Sequence, residues 1–517
     1  MSTERKKRRV TDFAYEDEWK PPAQVLSDWM TRVYRHRLTT TSGGNLSMLD
    51  DDGIFYVTPK GGDKAFVDPQ DVAYRPLNSN VPFKGRCPPS TEFPVHEAVY
   101  AARKDVNAIL HAHSQSLVAF SIAEDTQDRT PNTLLLAESA WSVGTVGLVP
   151  YFLPGSQKLA DAVAESFRQG ADCVILQNHG VFCTGVSLDE AYMRFTSLES
   201  LAAATIQASA MVPPYSLCPL RKEDLVKADR PREATSPVEF QRNVSMEEKQ
   251  TRTDLLKFIK RAYQQGLISS TSGSFSARVP FSNQTLGEGG GSGFTNPCAF
   301  VITPTGMDRH RLELSDLVFV ESCDFGEGET EMSASVGGDG GFVKSAGMHS
   351  PSRAVGTHAA IYRQNPNVSA VMLAQPPAAV AFCITDAPFV SAGIPESFIV
   401  LGPVPVLQFE DAMRGGLVAE TVKSAPVVLM RNSGVLAVGE SLLKAFDRLE
   451  VCDAMARVQI LARRRGAIRY LTDEEREEIE EKFLGGKKEK AKETGESKNG
   501  SASGHLKEKM EGPGCCC

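Results

Sequence analysis

Two histidines, His111 and His113, alternate with alanine where a short apolar run ends in the segment DVNAILHAHSQ. Successive side chains of an extended segment point to opposite faces, so these two imidazoles are expected on the same face. A third histidine, His179, follows another apolar run in VILQNHGV, and an acid, Glu92, lies upstream in PPSTEFPVH. Three imidazoles and one carboxylate suit Zn²⁺ or a similar divalent ion. The carboxylate is interpreted either as a further ligand or as a free base.

The elements that must position these residues alternate between strands and helices. Short apolar runs typical of strands occur at residues 54–57, 108–110 and 174–176, and amphipathic helical spacing occurs at residues 25–37 and 159–167. Strands that alternate with helices predict an α/β domain with a central sheet.

Two loops beside these elements consist of small and polar residues. Residues 41–47 read TSGGNLS, and residues 58–61 read TPKG. Glycines permit backbone shapes in which amide and hydroxyl groups close around an anion, so these loops are candidates for a phosphate site. Glycine and serine are also the ordinary residues of surface turns, and the loops alone do not separate the two interpretations. On the predicted helix after Glu92, His96 is interpreted as structural.

The order of these motifs resembles the class II aldolase/adducin family. TSGGNLS, TPKG, the acid of PSTE, the HAH pair and NHG follow one another between residues 25 and 210. The family includes zinc-dependent sugar-phosphate aldolases related to L-fuculose-phosphate aldolase. The resemblance implies a three-layer α/β/α domain with a central, mainly antiparallel sheet. It also implies that six residues hold a substrate phosphate: Ser42, Asn45, Lys60, Gly61, Ser90 and Thr91.

In activity, the resemblance implies a metal-dependent aldehyde-lyase that acts on a small phosphorylated ketose or a related hydroxycarbonyl. Zinc, held by the three histidines, would stabilise an enediolate, and Glu92 would move protons at the reacting carbons. Two positions depart from the aldolase pattern. Lys60 stands where a neutral residue is usual, and no tyrosine acid is found near Leu136, where one is expected. Epimerisation and dehydration are therefore left open beside aldol cleavage.

An adducin-like scaffold that binds the actin cytoskeleton or membrane partners is the alternative interpretation. Adducin-like proteins also resemble TPKG, and the lysine-rich tail ends in Cys515, Cys516 and Cys517. Such an end is similar to the double-cysteine ends that receive prenyl groups, which predicts a lipidated tail and peripheral membrane association. Glu92 and the three histidines oppose this alternative, because a scaffold needs no complete metal site.

The second half of the chain repeats the first. VSAVMLAQPPAAVAF at residues 368–382 aligns without a gap with VNAILHAHSQSLVAF at residues 106–120. VITPTG from Val301 matches YVTPKG, and VVLMRNSGVLAVG from Val427 matches CVILQNHGVFCTG. The chain is therefore predicted to be a tandem duplication of one domain.

The repeat lacks the proposed metal ligands. Leu373, Gln375 and Ser433 replace the three histidines, and Ala354 replaces Glu92. Leucine cannot bind a metal, and glutamine and serine are poor substitutes for imidazole. One zinc ion per chain is therefore expected, with the second copy as a structural or regulatory domain.

The domain organisation follows from these repeats and from composition. Single-domain members of the family form four-fold rings, so the resemblance implies that two chains with fused copies can close the same ring as a homodimer. The alternative is that the repeats fold as separate domains joined by residues 217–249. Polar, charged ends predict disorder. The predicted segments are a disordered arm at 1–20, a first domain at 21–215, a linker at 216–249, a second domain at 250–484 and a disordered tail at 485–517.

The whole chain has the composition of an ordinary globular protein, with 41% hydrophobic and 23% charged residues among 517. Its net charge of -8 gives no electrostatic reason to expect nucleic acid as a partner. No apolar run reaches the roughly 18 residues of a membrane-spanning helix, and no signal-peptide pattern follows the basic start. Eight scattered cysteines are typical of reduced thiols, so a cytoplasmic protein is expected.

Overall fold

The computed structural model describes six stretches of the chain, residues 20–123, 129–211, 215–228, 244–280, 295–324 and 341–484. The predicted arm up to residue 19, the middle of the predicted linker at 229–243 and the tail with its terminal cysteines lie outside these stretches. The chain divides into two compact units, residues 1–470 and 471–517. Both copies of the repeat belong to the first unit.

The first copy folds around a seven-stranded sheet. Its strands are β1 (Asn45–Leu49), β2 (Ile54–Val57), β3 (Ala73–Pro76), β4 (Ala108–Ala112), β5 (Val146–Val149), β6 (Cys173–Leu176) and β7 (Val181–Gly185). They lie in the order β3-β2-β1-β4-β7-β6-β5, and only β5 and β6 pair in parallel. The helices of this half are α1 (Pro22–Arg35), α2 (Phe93–Ala102), α3 (Gln115–Ile122), α4 (Ala137–Ser142), α5 (Gln157–Arg168), α6 (Leu188–Ser209) and α7 (Lys222–Ala228).

Helices cover both faces of this sheet, which confirms the predicted three-layer α/β/α architecture. The strand β4 shows how the sequence specifies the layers. Leu110 belongs to the core that the sheet forms with α1 and α6, whereas Ile109 belongs to the core formed with α2 and α5. Because side chains alternate along a strand, His111 falls on the same face as Ile109, the face that α2 covers.

The second copy repeats this fold with one additional edge strand. Its strands are β8 (Ser274–Arg278), β9 (Thr295–Ile302), β10 (Val318–Asp324), β11 (Gly341–Ala346), β12 (Ala370–Ala374), β13 (Val406–Leu407), β14 (Val427–Met430) and β15 (Gly434–Gly439). The order β11-β10-β9-β8-β12-β15-β14-β13 reproduces that of the first sheet once β11 is removed. The helices are α8 (Met246–Gln264), α9 (Val355–Gln364), α10 (Pro377–Cys383), α11 (Pro395–Leu401), α12 (Phe409–Ala412), α13 (Gly415–Thr421) and α14 (Leu442–Arg465).

The two copies contact each other through different faces. We call the face formed by the Thr-Pro-x-Gly loop, the helix after the central strand and the Asn-x-Gly turn the front face. In the first copy these are residues 58–67, α3 and Asn178, and in the second copy residues 303–312, α10 and Asn432. The back face consists of α1, α4 and α6 in the first copy and of α8, α11 and α14 in the second. The front face of the second copy packs on the back face of the first, where α10 contacts α6 and Ala137 N donates to Asn432 O at 2.9 Å.

A buried charge crosses this contact. Arg32, on α1, donates from its guanidinium to both carboxylate oxygens of Asp308, with 2.8 Å between Nη2 and Oδ1, and to the hydroxyl of Tyr263 at 2.7 Å. Its guanidinium carbon also lies 4.7 Å from the ring centre of Trp29 and 4.3 Å from that of Tyr192. Breaking a buried, hydrogen-bonded ion pair leaves an uncompensated charge, so this pair ties the two copies together.

We predict that Arg32→Ala lowers the free energy of unfolding by about 3 to 5 kcal/mol, because Asp308 loses its bidentate partner inside the contact. Guanidinium chloride unfolding of the full chain measures this. Arg86→Ala is the matched control, since Arg86 also pairs with carboxylates, those of Asp68 and Asp71, but at the surface. An unfolding curve of Arg32→Ala that overlays the wild-type curve would contradict the role assigned to Arg32.

The second unit contains a single described helix, α15 (Asp473–Phe483). A reciprocal cap begins it, in which Thr472 Oγ1 accepts from Glu475 N at 3.2 Å and Glu475 Oε2 accepts from Thr472 N at 2.9 Å. None of the helices in the six described stretches combines the length and apolar character that crossing a bilayer requires.

Candidate active site

The three predicted histidines converge at one end of β4. His111 lies within β4, His113 follows the last residue of that strand, and His179 lies in the turn between β6 and β7. Since β7 is the hydrogen-bonded neighbour of β4, the sheet itself brings the turn to the strand end. One ring nitrogen of each histidine lies within 4.8 Å of those of the other two. The structure therefore places the three imidazoles in one cluster.

The ring of His111 is held in one orientation. Its Nδ1 lies 3.1 Å from Val181 O, which can only accept, so Nδ1 carries the proton and Nε2 keeps its lone pair. Nε2 faces the cluster, 3.1 Å from His113 Nε2, and the ring stacks on Phe182 with centroids 4.1 Å apart. Burial, reinforced by His111, lowers the pKa of His113 to about 3 and that of His179 to about 4. Neutral imidazoles with free lone pairs are the form that binds a metal.

Glu92 lies against two of these histidines. It immediately precedes α2, and its Oε2 is 3.1 Å from His111 Nε2 while its Oε1 is 3.3 Å from His179 Nε2. Burial alone would raise the pKa of its carboxyl, but His111, His179 and a hydrogen bond from Asn45 outweigh burial and hold it well below its usual range. The carboxyl is therefore ionised at neutral pH. The arrangement fits a divalent ion, because three imidazole nitrogens and one buried carboxylate face a common point.

A chain of hydrogen bonds leads from the core of the sheet to Glu92. Asn45 Nδ2 donates to Glu92 Oε2 at 2.8 Å, so Asn45 Oδ1 is left to accept from His96 Nε2 at 2.5 Å. His96 Nδ1 then accepts from Ser47 Oγ at 2.7 Å, and Ser47 Oγ accepts from Tyr100 OH at 2.8 Å. Burial lowers the pKa of His96 to about 3, which keeps it neutral. His96 thus positions the carboxylate through Asn45, a role that helical spacing alone did not reveal.

The predicted phosphate residues lie on three loops, residues 41–44, 58–64 and 88–92, and at the start of β1, where Asn45 lies. Ser42, Lys60, Gly61 and Thr91 are exposed, whereas Ser90 and Asn45 are buried beneath them. Backbone hydrogen bonds join the second and third loops, from Lys60 N to Pro88 O at 3.0 Å and from Ser90 N to Thr58 O at 3.1 Å.

Lys64 was missed by sequence reasoning. Its side chain is buried, its backbone N donates to Thr41 O at 3.0 Å, and its Nζ donates to Pro59 O at 3.2 Å. Burial lowers the pKa of Lys64 to about 8. A lysine in a sequence is an ordinary surface residue, and only the folded loops show that this one lies between two candidate phosphate loops.

The second copy places residues that do not bind metals at the equivalent positions. Leu373 pairs with Ser274 across β12 and β8, as His111 pairs with Asn45 across β4 and β1. Gln375 Nε2 donates to Ser433 O at 3.1 Å. Among the described residues, the His111, His113 and His179 group is the one cluster suited to a metal ion.

Comparison with known proteins identifies the family. The model of the family described as Class II Aldolase and Adducin N-terminal domain matches residues 24–206 and, a second time, residues 253–460. The chain therefore belongs to this family, as the motif resemblance predicted, and contains the family domain twice.

Relatives of known activity match about one third of the chain. An L-fuculose phosphate aldolase of Methanocaldococcus jannaschii is 35% identical over 176 residues, which cover 34% of this chain and 90% of that protein. A 3-oxo-tetronate 4-phosphate decarboxylase of Escherichia coli is 30% identical over 183 residues, covering 35% and 85%. A solved L-fuculose-1-phosphate aldolase from Thermus thermophilus is 27% identical with a TM-score of 0.30, covering 35% and 92%.

Gly180 allows the histidines to approach one another. A Cβ atom at this position would lie 2.5 Å from His113 Cδ2, 2.8 Å from Ala112 O and 3.0 Å from His111 Cε1. Two imidazoles and a backbone carbonyl therefore pack directly on the glycine.

We predict that Gly180→Ala lowers the free energy of unfolding by about 1 to 3 kcal/mol, because the added methyl overpacks the cluster. Chemical denaturation followed by circular dichroism measures the change. Gly62→Ala is the matched control, since the nearest atom to a Cβ there is Pro59 Cγ at 3.5 Å. Equal stability of the two variants would show that the cluster has room to relax.

Proposed function

We propose that the first copy is a metal-dependent lyase that breaks a carbon–carbon bond in a small phosphorylated hydroxycarbonyl compound. The observation that carries this proposal is the convergence of His111, His113, His179 and the ionised Glu92 on one point beside three loops rich in amides and hydroxyls. The aldolase of Methanocaldococcus jannaschii and the decarboxylase of Escherichia coli support the reaction class. Both names describe a phosphorylated substrate, and aldol cleavage and decarboxylation both break a carbon–carbon bond.

The three imidazoles would hold the metal, and Zn²⁺ is the ion that best suits their number and type. When bound, such an ion supplies a Lewis acid for the negative charge that develops on substrate oxygens. The hydrogen bond from His111 Nδ1 to Val181 O serves this purpose, because it fixes the tautomer and the direction of the ring.

Glu92 would act as the base that removes or returns a proton at the substrate. Its carboxylate is ionised at neutral pH and can accept a proton. The hydrogen-bonded chain from Tyr100 to Asn45 fixes the position of Oε2, whereas Oε1 has no hydrogen-bond partner among the described residues. One oxygen is therefore anchored, and the other is available for the reaction.

The loops at residues 41–44, 58–64 and 88–92 would hold the substrate phosphate. Ser42, Thr91 and the backbone at Gly61 offer exposed donors, and the exposed Lys60 and the buried Lys64 add positive charge. Ser90 and Asn45 lie beneath these loops. A phosphate bound here would place the adjoining carbons of a small sugar beside Glu92.

We predict that Glu92→Gln lowers kcat for cleavage of a phosphorylated ketose by about 100-fold or more, because the amide cannot accept the proton, while the metal content stays near one ion per chain. Steady-state kinetics with L-fuculose 1-phosphate and metal analysis by mass spectrometry measure the two quantities. The double substitution His111→Ala, His113→Ala is expected to remove the metal. Gln375→Ala, its matched control in the second copy, is expected to retain it. Two ions per wild-type chain, or near-normal turnover of Glu92→Gln, would contradict these assignments.

We also propose that two chains assemble head to tail. The contact between the copies is mainly heterologous, because the front face of the second copy meets the back face of the first, with Tyr263 of α8 as an added contact. Within one chain, two faces are not paired with each other. They are the front face of the first copy, which carries the candidate active site, and the back face of the second copy. A second chain can supply both missing contacts and close a ring of four domains.

Exposed apolar residues on the two unused faces support this assembly. Ile122, at the end of α3, is 53% exposed, whereas the equivalent Ile384 is completely buried in the contact between copies. Val458 on α14 is 45% exposed, whereas the equivalent Ala204 on α6 is 1% exposed. Equivalent positions are thus buried where the two copies contact each other and exposed where a second chain would make the same contact.

The charged residues follow the same rule. Asp308 pairs with Arg32 inside the chain, and the equivalent positions hold Asp63, which is exposed, and Arg261, whose side chain is 46% exposed. In the proposed ring, Asp63 of each chain would lie near Arg261 of the other chain. Complementary charges of this kind fix register at an interface.

We predict that the wild-type chain of 56.1 kDa runs as a dimer in light scattering and that Ile122→Glu converts it to a monomer, because a carboxylate would be buried against an apolar face. Val81→Glu is the matched control, because Val81 is 48% exposed but belongs to neither face. A monomeric wild type at micromolar concentration, or a dimeric Ile122→Glu variant, would rule out this assembly.

A further inference from the structure

The second copy keeps a cluster of buried polar groups where the first copy has its candidate active site. Five side chains around this position have a buried polar atom with no hydrogen-bond partner among the described residues. These atoms are Thr271 Oγ1, Ser274 Oγ, His358 Nε2, Gln375 Oε1 and Ser433 Oγ. Ser274, His358 and Gln375 are 3%, 0% and 7% exposed. Burying unpaired polar groups is costly, so a concentration of them at one point indicates a site that binds something polar.

The positions of these residues follow from the repeat. Ser274 pairs with Leu373 as Asn45 pairs with His111, and His358 Nδ1 lies 2.7 Å from Ser276 Oγ as His96 Nδ1 does from Ser47 Oγ. The cluster therefore surrounds the point that the carboxylate of Glu92 occupies in the first copy.

The hydrogen-bonded chain of the first copy also recurs, but it stops earlier. Tyr362 OH lies 2.8 Å from Ser276 Oγ, which in turn contacts His358 Nδ1. With the same direction of donation as in the first copy, His358 Nδ1 accepts and Nε2 carries a proton. Burial lowers the pKa of His358 to about 3, so the ring is neutral. An N–H donor is thus aimed at the place where an asparagine and a carboxylate stand in the first copy.

Neighbouring side chains are shorter at this place than in the first copy. Ala354 and Ser274 stand where the first copy has Glu92 and Asn45, and both replacements are much smaller. Ser433 similarly replaces an imidazole with a hydroxyl. The groups that remain are mainly hydrogen-bond donors, from an imidazole N–H and three hydroxyls, and Gln375 Oε1 is an acceptor. Donors that converge without a carboxylate favour an oxyanion.

Positive charge lies beside the cluster. Arg353 stands where the first copy has Thr91, and its guanidinium lies 4.3 Å from the ring centre of Trp141 and 3.5 Å from Glu138 Oε2. Both of these partners belong to α4 of the first copy. Arg309 stands where the first copy has Lys64, and it donates to backbone carbonyls of the loop at Ser272 and Gly273. Burial raises the pKa of Glu138 while both arginines oppose that rise, so two guanidinium groups face one carboxyl group.

We propose that the second copy is a metal-free binding site for a small hydroxylated oxyanion, such as the carboxylate of a sugar acid or the phosphate of a sugar phosphate. The oxyanion accepts from His358, Ser274 and Ser433, in the position of the missing carboxylate. A hydroxyl of the ligand donates to Gln375 Oε1, and Arg353 balances the charge at the mouth. Because α4 of the first copy forms one wall, the ligand lies between the two copies. Binding there does not depend on the function proposed for the first copy.

Trp141 provides the measurement. Its indole lies against Arg353 and has a buried N–H without a partner among the described residues, so its fluorescence reports on an anion at this site. The full chain is titrated at constant ionic strength with inorganic phosphate and, separately, with D-glycerate. Trp141→Phe gives the background from Trp19 and Trp29. A saturable change that Trp141→Phe lacks is expected for the wild type, and the probe that saturates identifies phosphate or carboxylate as the group bound.

Two variants test the site itself. Ser274→Asn combined with Ala354→Glu rebuilds the internal carboxylate of the first copy and should abolish the titration. Arg353→Thr introduces the residue that the first copy has at this position, and the Arg353 side chain is 40% exposed. This variant should weaken binding at least tenfold. It tests the proposal even if the double variant fails to fold. Glu92→Gln should titrate like the wild type, which separates this site from the active site. No saturable change with either probe, or an Arg353→Thr variant that binds as tightly as the wild type, would overturn the proposal.

Discussion

A buried carboxylate determines which residues the first copy needs around its candidate active site. Glu92 is 6% exposed, and an ionised group at such a position is stable only where polar partners surround it. The fold supplies these from three separate elements: β1 contributes Asn45, β4 contributes His111, and the turn before β7 contributes His179. None of these partners is near Glu92 in sequence. In the second copy the carboxylate is absent, and the three histidines are absent with it, as expected if each group is tolerated only in the presence of the others.

The sequence was sufficient to predict the parts of this arrangement that depend on local periodicity. Alternation along a strand placed His111 and His113 together, and the gapless alignment of the two central segments revealed the duplication. It could not reveal contacts that only the closed sheet creates. His96 looked structural because helical spacing says nothing about Asn45, which lies 51 residues earlier and accepts from its ring. The pairing of Arg32 with Asp308 spans 276 residues and has no local signature.

Duplication followed by divergence has given the two copies different roles in the same contact. A single domain that meets its neighbour front to back must keep both faces compatible in every copy. Fusion relaxes this requirement, because the front face of the second copy and the back face of the first are permanently paired within one chain. Arg32 is accordingly buried against Asp308, whereas its counterpart Arg261 lies at the surface and pairs with Glu450 on the same back face. The two copies can therefore change independently, and loss of the metal ligands in one of them does not disturb the fold that both share.

The turn that carries His179 in one copy and Ser433 in the other shows how such a change is constrained. Asn178 and Asn432 both adopt the left-handed backbone conformation, with φ of 58° and 56°, which asparagine tolerates better than most residues. The side chain of Asn432 also donates to Leu135 O at 3.0 Å and to Cys218 O at 2.7 Å. Glycine could adopt this left-handed conformation at either position. At residue 432, however, it would remove both side-chain hydrogen bonds. The copy that lost its ligands thus has the less replaceable asparagine, and further drift there is limited by its neighbour.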